Sequence, residues 1–63
     1  LAKVVMRLPA WHAALDEVRG HRAQTRGEAV AAATRFRAAA AGFTAAGQPL
    51  DGARCTRLAA RER

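Results

Sequence analysis

The sequence predicts a mainly helical chain with one short strand, completed by a second copy of itself. Three observations carry that expectation. The first is a single period-2 segment, Lys3-Val4-Val5-Met6-Arg7-Leu8, closed by Pro9. The second is a pair of helix-like segments after it, separated by a polar turn. The third is size: 63 residues with one Trp, two Phe and one Met cannot bury much surface alone. A lone strand needs a partner strand, and no other segment here alternates. The same strand of a second chain, run antiparallel about a two-fold axis, is the simplest partner.

On this reading Val4, Met6 and Leu8 face inward, and Lys3, Val5 and Arg7 line the outer face of a two-stranded ribbon, of a width that enters a DNA major groove. The first helix starts near Pro9 or Ala10, a tolerated place for proline. Trp11, Ala14, Leu15 and Val18 recur at i, i+3, i+4, i+7 and predict its core face. Gly20 begins its end, and His21 to Gln24 form a polar connection. Thr25-Arg26-Gly27-Glu28 matches a capping box and predicts the start of the second helix. Ala29, Ala33, Phe36, Ala40 and Phe43 then form a stripe, with Val30 beside it. The expected dimer core is therefore Val4, Met6, Leu8, Trp11, Leu15, Val18, Val30 and Phe36. Gly42, Gly47 and Pro49 read as a hinge, and the residues after Pro49 as a flexible basic tail with a weak helical signal. The domain division is 1–42, for dimerisation and DNA binding, and 43–63, the tail.

The net charge of +6 points to an anionic partner, with nucleic acid first, then an acidic protein surface, then membrane. No apolar run has the length of a transmembrane span and no signal peptide opens the chain. A single Cys55 allows no internal disulfide and suits a reducing cytoplasm. His12, His21 and Cys55 are too scattered for a zinc site. No carboxylate pair, phosphate loop or nucleophile–base pair is present, so neither enzyme activity nor a cofactor is expected. The Ala/Arg/Gly-rich composition suggests a GC-rich, bacterial coding sequence. Whether Leu1 is a true start is open.

Strand, helix, turn and helix in this order resemble the ribbon-helix-helix repressors of the CopG/Arc/MetJ kind. The matching residues are Val4, Met6, Arg7, Leu8 and Pro9; Leu15-Asp16-Glu17-Val18; and Gln24-Thr25-Arg26-Gly27-Glu28-Ala29-Val30. The spacing from Pro9 to Leu15 is one residue short of the family pattern, and Ala23 stands where a Gly usually precedes the second helix. The resemblance implies an intertwined homodimer, operator DNA read by Lys3, Val5 and Arg7, and phosphate held by Thr25, Arg26 and Gly27 at a helix start. It also implies a VapB-type antitoxin of a type II toxin–antitoxin pair, an autorepressor whose tail inhibits a PIN-domain, VapC-like toxin ribonuclease. Phe43, Leu50, Arg54, Arg57, Leu58 and Arg61 are the expected toxin-binding residues, since a basic tail complements an acidic active site. The alternatives are a MazE-like antitoxin, a stand-alone repressor of the same fold, and a small helical interaction subunit that adds a strand to a partner's sheet.

Overall fold

A computed structural model describes residues 10–62, and within them the chain is wholly helical. Helix α1 spans Trp11–Thr25, α2 spans Ala29–Ala45 and α3 spans Pro49–Arg61. Central α2 packs along both neighbours, while α1 and α3 touch only slightly. The ends meet in an up-down-up order: Ala13 of α1 lies with Ala39 and Phe43 of α2 and Cys55 of α3. Towards the other end Ala23 lies with Ala32, Phe36 and Ala59.

This corrects the expected fold class. The described residues contain no strand, and a third packed helix stands where a flexible tail was expected. The ribbon residues Lys3, Val4, Val5, Met6, Arg7 and Leu8 lie outside the described residues. The ribbon-helix-helix reading fails on the remainder, because α3 closes the fold by covering α2 within one chain. Pro49 explains part of α3's start: it sits at the first helical position, where its missing N–H costs no helical bond.

Both connections are built alike. Gly27 (φ 75°) and Gly47 (φ 81°) take the left-handed conformation that side chains resist. Around Gly27, the Glu28 amide donates to the Ala23 carbonyl at 2.9 Å and the Gly27 amide to the Gln24 carbonyl at 3.0 Å. Around Gly47, the Gln48 amide donates to Phe43 at 2.8 Å and the Gly47 amide to Thr44 at 3.1 Å. Each is a Schellman stop followed at once by a new helix. Thr25 is therefore the last residue of α1 and not a cap of α2. Its hydroxyl donates back to the His21 carbonyl at 3.0 Å, and Glu28 occupies the N-cap position with no side-chain cap bond.

The helices meet through small residues. Gly20 does not end α1; it lets the Phe36 ring lie against the helix backbone. A methyl group built there would sit 2.6 Å from Phe36 Cε1. Gly42 likewise faces Ala13, and Gly52 faces Thr44. The core face of α1 is thus Ala13, Gly20 and Ala23. The expected face, Trp11, Leu15 and Val18, is 59%, 40% and 53% exposed, and Val30 is 81% exposed. Two residues of offset rotate a helix by about 200°, so residues 11 and 18 point nearly opposite to 13 and 20. Close approach of backbones through alanine and glycine gains dispersion contacts along the whole seam. Of the expected dimer-core residues among those described, only Phe36 is buried, and it is buried within its own chain.

Candidate functional site: an arginine groove and an apolar stripe

Two surface features are left after the core is assigned. The first is a shallow depression of about 310 Å³ where α1 ends and α2 begins, lined by Arg19, Arg22, Arg26, Glu28 and Arg35 together with Ala23 and Ala31. Arg19, Arg22 and Arg26 succeed one another at i, i+3 and i+7, so one helix face carries all three. All four arginines are exposed. Arg35 is held by Asp16, its Nη1 donating to Oδ1 at 3.3 Å. Arg19, Arg22 and Arg26 make no ion pair with any described residue. Like charges three and four positions apart on a helix cost a few tenths of a kcal/mol per pair. The Schellman turn at Gly27 brings the start of α2, with its unbonded first amides, to the edge of the same groove.

The second feature is the outward stripe of Trp11, Leu15 and Val18 on α1. Trp11 stacks on His12 with ring centroids 3.7 Å apart, which leaves both rings on the surface. Leu50 at the start of α3 is 85% exposed.

The expected site residues are scattered over the bundle. Arg26 lines the groove, with Thr25 and Gly27 exposed beside it. Phe43 is buried and cannot meet a partner. Arg54 spans α1 and α3: its Nε and Nη2 donate to the two carboxylate oxygens of Glu17 at 2.9 and 2.8 Å, and its Nη1 to Asp51 at 2.6 Å. Those bonds hold its pKa well above the usual arginine range, and its guanidinium also lies 5.6 Å from the centre of the Phe43 ring. Arg54 is thus a clamp within the bundle. Leu50, Arg57 and Arg61 remain exposed, and Leu58 packs partly against the core. Lys3, Val5 and Arg7 lie outside the described residues. Sequence reading missed Arg19 and Arg22, and set Arg35 on the solvated face of the second helix, with nucleic-acid contact there as the lesser reading. The signal for the first two was their spacing with Arg26, hidden by ending the first helix at Gly20.

Cys55, expected in a mobile segment, is fully buried between α2 and α1 residues. Burial first, and the nearby Glu17 carboxylate second, push its thiol above its ordinary value of 9.0. A raised thiol pKa contributes stability below that value and loses it as pH rises, because the unfolded chain ionises first. Denaturant midpoints are expected to fall from about pH 9 upward more steeply in the native chain than in Cys55→Ala. Parallel profiles would show that the thiol ionises equally in both states.

Among the described residues no helix is long and apolar enough to cross a membrane, and no three of His, Cys, Asp and Glu gather as metal ligands. No known protein family model, curated protein or solved structure matches the chain.

Proposed function

We infer that this chain is a helical interaction module, a unit of stacked antiparallel helix hairpins whose work is to bind other polypeptides, beginning with copies of itself. One observation carries the reading. Helix α1 buries a seam of small residues on one side and leaves Trp11, Leu15 and Val18 exposed on the other. An apolar stripe on the outermost helix of a stack is where a further helix would lie. The side-by-side order of the helices and the two matching glycine turns support it.

Self-association through α1 about a two-fold axis is the concrete form of the proposal. Light scattering across a concentration series is expected to show a dimer of the full chain. Leu15→Glu with Val18→Glu is expected to return it to monomer with its helical circular dichroism intact. A native chain that stays monomeric into the millimolar range would contradict the reading.

Toxin inhibition keeps a narrower basis than the sequence implied. Arg54 is already engaged by Glu17 and Asp51 and Phe43 is inside, which leaves Leu50, Arg57 and Arg61 as the surface α3 offers.

A further inference from the structure

We propose that the groove of Arg19, Arg22, Arg26 and Arg35 is a binding site for the phosphodiester backbone of nucleic acid. The groove concentrates four guanidinium groups against two carboxylates, Glu28 in its lining and Asp16 on Arg35. Arg19, Arg22 and Arg26 have no acidic partner among the described residues, although Asp16, Glu17 and Asp51 elsewhere on the bundle are all paired. Glu28 is the one carboxylate in the lining, and it pairs with none of the three arginines.

Geometry selects the ligand. The row runs over seven residues of helix, about 10 Å at 1.5 Å per residue. Each guanidinium can neutralise one phosphate, so the row meets at most about three. The guanidinium fork matches phosphate oxygens bidentately, and all but one of the chain's eleven basic residues are arginine. The apolar residues of the lining are Ala23 and Ala31 alone, with no aromatic or large apolar side chain. A protein segment gains most of its affinity from apolar or aromatic anchors, which this lining cannot seat. Without a stacking platform or a base-reading side chain in the lining, the contact of this groove is to backbone and independent of sequence. The amides at the start of α2 add donors at the same edge. Arg26 is the one groove residue that also falls among the phosphate contacts expected from the sequence.

The test is fluorescence anisotropy of the full chain with a labelled 20-base-pair duplex and, as a second arm, a 20-nucleotide single strand. With about three phosphates neutralised, the log–log salt slope is near −2.7 for duplex, a fall of roughly 40-fold in affinity between 50 and 200 mM salt. Single strand gives a shallower slope, near −2. The triple variant Arg19→Gln, Arg22→Gln, Arg26→Gln is expected to lose at least tenfold at low salt with unchanged circular dichroism. Arg57→Gln with Arg61→Gln on α3 stays within about twofold of native. Equal loss in both variants would reduce the effect to net charge and overturn the proposal. So would competition by polyglutamate as effective, charge for charge, as competition by unlabelled nucleic acid. A neutral variant of the stripe, Leu15→Gln with Val18→Gln, adds no carboxylate four residues before Arg19 or Arg22, so a failure of self-association and a failure of phosphate binding are read separately.

Discussion

Phe36→Ala is expected to abolish or nearly abolish the folded state. Phe36 is completely buried among Ala23, Ala32 and Ala59, and the His21 ring meets it edge-on at 5.1 Å. Its buried neighbours are alanines, which cannot swing inward to fill the space it leaves. Losing such a ring costs about 3–5 kcal/mol. A domain of this length commands roughly 3–9 kcal/mol in total. The cooperative thermal transition should disappear, or Tm should drop by at least about 12 °C, taking the lower loss and about 4 °C per kcal/mol. Val30→Ala, at an 81% exposed position, should barely move it. A Phe36→Ala protein melting near the native temperature would mean that the ring is not in the core.

Gly20→Val is expected to destabilise by about 1–3 kcal/mol, the usual cost of overpacking, even though valine is the better helix former. The added Cβ would lie 2.6 and 2.7 Å from two carbons of the Phe36 ring. The ring has nowhere to go, because it is enclosed on its other sides. The two substitutions should therefore be strongly non-additive: adding Gly20→Val to Phe36→Ala should cost little or even restore stability, since the new methyl groups enter the emptied space. Denaturant unfolding of the four proteins in a stabilising osmolyte, which keeps Phe36→Ala folded enough to show a transition, measures this coupling. Additive losses would place Gly20 away from Phe36.

The same pair shows what the sequence disclosed and what it did not. Phe36, Ala33 and Phe43 were legible as the buried stripe of a helix, because period 3.6 and two aromatic side chains mark it. The face of α1 was not. Weighting by side-chain size selects Trp11, Leu15 and Val18, whereas this bundle packs through Ala13, Gly20 and Ala23, where closeness of backbones replaces side-chain volume. Gly20 and Gly42 read as stops because an isolated helix is weakened by glycine; a partner ring or methyl group against the missing side chain reverses that preference. Gly27 and Gly47, by contrast, are true stops, with positive φ. Thr25 and Glu28 fit a capping box by spacing alone, and the Schellman turn at Gly27 overrides it. The third helix was hard to see for a related reason: its buried residues are Gly52, Cys55 and Ala59, none of which announces a core. Of the groove, Arg26 was legible beside its turn, while Arg19 and Arg22 became neighbours of it only once α1 ran unbroken through Gly20.

Residues 49–61 are the third wall of the bundle, clamped by Arg54 to Glu17 and packed through Cys55 on Ala13, Ala39 and Phe43. Amide hydrogen exchange on the intact 63-residue chain measures this directly. Amides from Gly52 to Ala59 should be protected and should open together with those of the Ala32–Phe43 stretch, as one cooperative unit. Exchange at unfolded-chain rates after Gly47, with α1 and α2 still protected, would contradict it.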